Sequence, residues 1–221
     1  IFCLAILCLW CIDRQLAFTI KQQLGIDVAL FIETWLKKTI PDDPINITGY
    51  QLFPRDRQHQ DHGEVCLYVK NSIHCSFLPE LFSDVHEVIW VSLRPCRLPL
   101  GFSNTIVAVV YHPDQNSNTS NAQLHEYLMC TLETIEVKYL NSAIVVAGDF
   151  NNFNFKASNY QDPNMSNNIP DQIFINLQDY YQEPTAFPTF GLSDHVWPVI
   201  TMPGLCQERK SQRKSLKTPD K

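Results

Sequence analysis

The sequence predicts a layered α/β sandwich, because short apolar runs typical of buried strands outnumber the amphipathic helical segments, and these segments lie between the strands. Two runs, TIVAVVY at 105–111 and AIVVA at 143–147, are long enough and apolar enough to be buried strands. Between them, a helical pattern places five residues on one face: Leu124, Leu128, Leu132, Ile135 and Tyr139. Strands that alternate with helices in this way favour stacked layers around one core.

The remaining elements follow from the same two periodicities. Residues 14–24 predict a helix that ends at Gly25, and Ser120 with Gln123 forms a capping box that predicts the start of the second helix. Residues 39–63 are rich in Pro, Asp, Asn, His and Gly, so we expect a long loop there. Further strands are predicted at 27–32, 65–69, 86–93, 173–175 and 196–202.

Length and charge restrict the class of protein. The 221 residues, 45% of them apolar, suffice for one domain of the larger kind, which we place at 1–204. Residues 205–221 are predicted to be a basic, disordered tail, since 208–221 hold six of the 17 Lys and Arg residues. The net charge of −6 argues against a protein that grips phosphates without a metal. An acidic body is compatible with a nuclease whose carboxylates hold a divalent cation.

The first twelve residues, IFCLAILCLWCI, are continuously apolar. They are too few for a membrane span, which needs about 20 residues, so they predict a buried first strand. A cleaved or interfacial segment is the alternative. The eight Cys residues are irregularly spaced, and Cys8 with Cys11 is the single close pair, which predicts packed or incidental thiols rather than a zinc site.

Polar residues stand where the predicted strands end. Glu33, Tyr111 and Asp149 each follow an apolar run, Asn151 comes two residues later, and Ser193-Asp194-His195 precedes the last strand. Polar groups at one edge of a packed core are where sites are usually built. Hydrolysis of a phosphodiester needs a metal to neutralise the phosphate, a base for the attacking water and a stabilised leaving oxygen. Carboxylates suit Mg²⁺, and His or Asp can act as the base.

Seven segments together carry a family resemblance. They are ETWL at 33–36, TGYQLFPRDR at 48–57, VCLYVKNSI at 65–73, RLPLGFS at 97–103, VYHP at 110–113, GDFN at 148–151 and GLSDH at 191–195. From about Asp27 to Pro203 the chain resembles the nuclease domains of LINE-type non-LTR retrotransposons. These share their fold with pancreatic-type deoxyribonucleases and apurinic/apyrimidinic endonucleases. The resemblance implies a four-layered α/β sandwich of the DNase I-like (endonuclease/exonuclease/phosphatase) type, with an incomplete sheet and about 25 divergent residues at its start.

The resemblance also implies a metal centre and a phosphate contact. Glu33 would be the principal ligand of Mg²⁺, or of Mn²⁺ in its place, and Asp194 would support the metal side. Tyr111 would contact the scissile phosphate. DNA is the implied substrate and partner, and the nucleus the implied location, while neither a membrane nor an obligate protein partner is indicated.

Four further residues take catalytic roles by resemblance. Asp149 would activate the water or serve the leaving group, and Asn151 would orient it. His195 would bind and polarise the phosphate or share the base role, and Asp171 would orient this histidine.

Plain structural explanations remain open for the same residues. Glu33 could end a strand in solvent, residues 149–151 and 193–195 could be ordinary turns, and Tyr111 could be a packed aromatic residue. Asp171 has the weakest sequence context of the set.

Three departures from the family pattern predict weakened or lost activity. The first strand lacks the family's Asn, since none occurs before Asn46; Glu64 stands where the family has a glycine run; and the stretch from Asn151 to Asp171 is short. Two alternatives to a Mg²⁺-dependent DNA endonuclease therefore stay open. One is a folded but catalytically dead remnant that at most binds nucleic acid, and the other is a phosphodiesterase of the same fold that acts on phosphoinositides or sphingolipids.

Overall fold

The protein is described by a computed structural model over residues 4–8, 26–32, 46–55, 65–113, 118–151, 153, 171–177, 185–186 and 199–201. In this part of the chain the strands form two sheets, and one long helix packs on the second sheet. No helix among these residues has the length and apolar character needed to cross a lipid bilayer.

The first sheet has six strands in the order β10-β11-β1-β2-β4-β3. Their bounds are β1 Leu4–Cys8, β2 Val28–Ile32, β3 Tyr50–Arg55, β4 Val65–Lys70, β10 Thr185–Ala186 and β11 Val199–Thr201. Strands β1 and β2 run parallel, and every other neighbouring pair is antiparallel. Residues 4–8 of the apolar start therefore form a strand between two other strands of the sheet, as the composition predicts.

The second sheet has five strands in the order β5-β6-β7-β8-β9. Their bounds are β5 His74–Phe77, β6 Glu87–Arg94, β7 Asn104–Tyr111, β8 Ser142–Asp149 and β9 Asp171–Ile175. A 3₁₀ helix, Pro79–Leu81, follows β5, and helix α1, Asn118–Lys138, connects β7 to β8. Because a helix makes this crossover, β7 and β8 can pair in parallel, so both strands end at the same edge of the sheet.

The main core lies between the two sheets. Strand β2 contributes Val28, Leu30 and Ile32 to it, at every second position. The second sheet contributes the odd-numbered residues of its strands, among them Val109 and Ala147. Residues at odd positions of β6, β7 and β8 therefore face the first sheet, which fixes the direction of the polar residues at the ends of these strands.

Helix α1 covers the other face of the second sheet. Leu124, Leu128, Leu132 and Ile135 are buried there against the even-numbered residues of β6, β7 and β8, as the four-residue spacing predicts. The Tyr127 hydroxyl donates to the Leu81 carbonyl (2.7 Å) and accepts from Trp90 Nε1 (2.8 Å). Three layers are thus in place, and the helix predicted at 14–24 lies outside the described residues.

Two local predictions are wrong, and one strand was missed. Residues 39–63 are not all loop, because β3 pairs along its length with β4, and Pro54 is tolerated since β3 is an edge strand. Strand β5 was not predicted, because its four residues are too few to show a period. Helix α1 begins at Asn118 rather than at Ser120, so Ser120 falls within its first turn. The domain boundary at 204 and the tail remain predictions.

Candidate active site at the ends of β7 and β8

Polar residues occupy one row across the second sheet at the edge where β7 and β8 end. Glu87 pairs with Tyr111, Tyr111 with Asp149, and Asp149 with Asp171 in the strand registers. Glu87, Tyr111 and Asp149 occupy odd positions, in phase with the core residues of their strands, so they belong to the face turned toward the first sheet. Tyr111 is half-buried and packs against the core between the sheets. A row of polar side chains therefore lies on the inner face of the second sheet, at the edge where β7 and β8 end.

Asp149 and Asn151 form a single hydrogen-bonded unit. Asp149 is 1% exposed, and its Oδ1 accepts from the backbone N–H of Asn151 (2.8 Å), which makes an Asx-turn. Asp149 Oδ2 accepts from Asn151 Nδ2 (3.1 Å), and the same amide nitrogen donates to the His112 carbonyl (2.7 Å). These N–H donors stabilise the charged carboxylate. The amide nitrogen of Asn151 is thereby engaged, while its oxygen accepts no hydrogen bond from any described residue and can still bind a ligand.

The backbone of this turn needs the residue types that flank Asp149. Asn151 has φ +45°, in the left-handed region that Asn tolerates better than most residues. A Cβ on Gly148 would lie 1.9 Å from the Val110 carbonyl oxygen, so only glycine allows β7 and β8 to approach this closely. Phe150 is fully buried on the helix side and stacks on Phe153 at 6.0 Å. The GDFN motif thus places an apolar anchor on one face and a carboxylate on the other.

His112 links three parts of the site. Its backbone N–H donates to the Asp149 carbonyl (2.8 Å), and its own carbonyl accepts from Asn151. Its ring Nε2 lies 2.7 Å from Oδ1 of Asn121 in the first turns of α1, and the ring meets Phe153 edge to face at 6.0 Å. The residue is 4% exposed, so burial and three contacts fix its position.

Sequence patterns assigned no role to Glu87 or to His112, although His112 belongs to the VYHP segment. Glu87 is the first residue of β6 and 8% exposed, which is uncommon for a carboxylate. Its spacing from Ile89 and Val91 within a strand could have indicated that it faces the core. His112 lies between a predicted site residue and a proline, and nothing in the pattern shows that its ring turns toward α1.

The predicted site residues fall into two groups. The structure brings together Tyr111, Asp149 and Asn151, and it places the backbone of Asp171 beside that of Asp149. The other three predicted residues, Glu33, Asp194 and His195, lie outside the described residues. Within the described part of the chain, no three His, Cys, Asp or Glu side chains come together in a group that could hold a metal ion.

Comparisons with solved structures identify the fold. No protein-family model matches the sequence, and no curated protein sequence matches it significantly. The endonuclease domain of TRAS1, a telomere-specific non-LTR retrotransposon, superposes with a TM-score of 0.64 at 13% identity. The matched region covers 94% of this chain and 100% of that domain.

Two further structures are similar to about the same degree. The 3′ phosphatase NExo from Neisseria, solved with a product DNA hairpin, has a TM-score of 0.63 at 11% identity, covering 93% of this chain and 100% of the phosphatase. An AP endonuclease from Archaeoglobus fulgidus has a TM-score of 0.58 at 12% identity, with coverage of 93% and 100%. The chain therefore has the DNase I-like, or endonuclease/exonuclease/phosphatase, fold, and the predicted fold class is confirmed.

Proposed function

We propose that this chain is a Mg²⁺-dependent DNA endonuclease that hydrolyses phosphodiester bonds. One observation carries the proposal: the buried Asp149 carboxylate is held by Asn151 at the end of β8, in register with Tyr111, within a DNase I-like fold. A carboxylate fixed by N–H donors at a sheet edge is a pre-organised base. Similar structures include DNA-processing enzymes, which supports DNA as the substrate. We assign its action to the nucleus on the resemblance to retrotransposon nucleases alone.

The donor chemistry of the site fits a hard cation. The Asp149 carboxylate supplies oxygen atoms of the kind that Mg²⁺ prefers, with Mn²⁺ as its substitute. We assign the principal ligand to Glu33, with Asp194 in support. Glu33 directly follows Ile32, whose side chain belongs to the same core cluster as Ala147. Mg²⁺, when bound, would neutralise negative charge on the scissile phosphate.

The chain's own residues supply the remaining steps. Asp149 accepts a proton from the attacking water, and the Asn151 amide oxygen accepts a hydrogen bond that orients this water. The oxygen attacks phosphorus, and the bond from phosphorus to the leaving sugar oxygen breaks. Tyr111 binds a non-bridging phosphate oxygen. We assign to His195, with Asp171 to orient it, the role of polarising the phosphate or sharing the base role. The leaving sugar oxygen takes its proton from solvent water.

Nicking of supercoiled plasmid tests the proposal. The wild-type chain should convert plasmid to the open-circular form with Mg²⁺ and not with EDTA. Asp149→Asn should lower the rate by about 10³-fold or more, because the variant keeps the shape of the side chain but removes the base. Glu33→Gln and His195→Ala should lower it similarly.

Asp84→Asn is the matched control, because it makes the same chemical change at an exposed position in the turn before β6. It should nick at the wild-type rate. Nicking that persists in Asp149→Asn would contradict the assignment of the base. Hydrolysis of phosphoinositide or sphingomyelin vesicles in preference to plasmid would instead favour a lipid phosphodiesterase of the same fold.

A folded domain without cleavage activity is the second candidate, and β1 favours it. This strand has the sequence Leu-Ala-Ile-Leu-Cys and pairs in parallel with β2, next to the strand that leads to Glu33. It contains no amide side chain, whereas the resemblance implies an Asn on the first strand. A folded wild-type protein that does not nick plasmid, but binds it and lowers its mobility in a gel-shift assay, would establish this second function.

A further inference from the structure

We propose that His112 is a positioning residue, which holds Asn151 in its working orientation through a contact between its ring and Asn121. The proposal rests on the endonuclease function above, and it adds a residue pair for which no role follows from sequence. His112 acts through its carbonyl, which accepts from Asn151 Nδ2 at 2.7 Å.

The side-chain amide of Asn151 can rotate unless both acceptors of its Nδ2 group are held in place. One acceptor is Asp149 Oδ2, on a strand in the middle of the sheet. The other is the His112 carbonyl, one residue beyond the end of β7. If this peptide shifts, Asn151 Nδ2 loses an acceptor, and the amide oxygen no longer points in one direction.

Three contacts hold the His112 peptide. Its N–H donates to the Asp149 carbonyl, Pro113 restricts it to extended conformations, and its ring is tied to α1. An amide oxygen only accepts hydrogen bonds, so Nε2 of His112 donates to Asn121 Oδ1 and carries the proton. Helix α1 packs along the second sheet through its apolar face, so the contact with Asn121 fixes the position of the His112 ring relative to a rigid element.

Steady-state nicking kinetics test the pair. His112→Leu keeps most of the volume but removes the donor, and Asn121→Ala removes the acceptor while raising helix propensity. Each should lower kcat by about 10- to 100-fold and change KM by less than about twofold, since orientation and not substrate binding is lost. His112→Gln, which restores an N–H donor near the Nε2 position, should recover kcat to within about threefold of wild type.

The double variant separates positioning from general damage. His112→Leu combined with Asn121→Ala should be no slower than either single variant, because both remove the same interaction. His74→Leu, which removes an exposed histidine at the sheet edge, is the control and should nick normally. Equal losses in His112→Leu and His112→Gln, or losses that multiply in the double variant, would overturn the proposal.

A measurement independent of activity covers the case in which the wild-type chain does not nick. The side-chain amide protons of Asn151, assigned by NMR with an Asn151→Asp variant, should exchange slowly with solvent in the wild type. Exchange should be about tenfold faster or more in His112→Leu and in Asn121→Ala, and near wild type in His112→Gln. An inactive wild type with these changes would refute the endonuclease function alone, whereas unchanged exchange would refute the positioning role.

Discussion

The two ends of β7 and β8 both carry buried polar side chains, but the polar clusters at the two ends differ in charge. At the end where the strands begin, Asn104 Nδ2 donates to Ser92 Oγ (3.0 Å), and Ser142 Oγ donates to Asn104 Oδ1 (2.6 Å). These groups are neutral and complete one another's hydrogen bonds across β6, β7 and β8. At the end where the strands finish, the buried polar group is the carboxylate of Asp149, which is 1% exposed.

The difference shows how a buried polar cluster can be assigned to structure or to a site. The Asn104 cluster uses both amide atoms in hydrogen bonds to neighbouring hydroxyls, and it contains no charged group. In the Asn151 cluster the amide nitrogen is used, and the amide oxygen accepts no hydrogen bond from a described residue. Left-handed backbone does not separate the ends, because Asn141 directly before β8 has φ +61° and Asn151 has φ +45°. A buried carboxylate and a spare acceptor together favour function.

Gly148→Ala should have the largest effect, because it disrupts the close contact between β7 and β8 next to Asp149. The new Cβ would meet the Val110 carbonyl oxygen at 1.9 Å, and neither backbone can move without disturbing the β7–β8 ladder. We expect a loss of about 3 kcal/mol in the free energy of unfolding, measured by urea denaturation, together with loss of nicking.

Gly101→Ala is the control for the backbone effect of glycine alone. Gly101 has φ +101°, but apart from its chain neighbours no described residue has an atom within 4 Å of the new Cβ, so the variant carries strain without a clash. It should lose about 1–2 kcal/mol and keep its activity. Equal stability of the two variants would contradict the close approach of β7 and β8.

A pair of asparagine variants tests the contrast between the ends directly. Asn104→Ala leaves the Ser92 and Ser142 hydroxyls without their buried partner, so the free energy of unfolding should fall by about 2 kcal/mol, with nicking per folded molecule unchanged. Asn151→Ala should lower kcat by about 10²-fold or more. It should cost less stability than Asn104→Ala, because residue 151 is only half-buried. If urea denaturation and plasmid nicking give the reverse pattern, the two ends have been assigned the wrong way round.

The smallest effect concerns charge at the surface, where α1 ends. Hydrogen bonds from Lys138 Nζ (2.8 Å), and then from the Tyr139 hydroxyl, lower the pKa of Glu80 from 4.5 to about 2. A lowered folded-state pKa gives stability that is present above pH 4.5 and is lost as the pH falls toward 2. Because Glu80 and Lys138 are exposed, water screens the pair, and Glu80→Gln should lower Tm at pH 6 by no more than about 1–2 °C.

The variant should also flatten the acid dependence of stability. Between pH 5 and pH 3, the difference in Tm between wild type and Glu80→Gln should shrink as the wild-type carboxylate begins to lose its advantage. A difference that grows on acidification would have the wrong sign for a lowered pKa.

Much of the fold was predictable from local pattern, and the exceptions have physical causes. The runs that became β7 and β8 and the apolar face of α1 were readable because each is buried on a face that its own period defines. Strand β3 was not readable, because an edge strand with Pro54 needs only one partner and little apolar surface. Register was not readable either, so the pairing of Glu87 with Tyr111 came only from the structure.

The sequence by itself determined which residue types stand at the strand ends and that Asp149 follows a buried strand within a two-residue turn. These are local facts, set by hydrophobic periodicity and by the turn preferences of Gly, Asp and Asn. Only the tertiary structure decided that the Asn151 amide nitrogen donates to the His112 carbonyl and to the Asp149 carboxylate. The same is true of the contact between the His112 ring and Asn121 of α1. Those contacts join residues up to 39 positions apart. They depend on strand register and helix packing, which arise from the whole core rather than from any one segment of the chain.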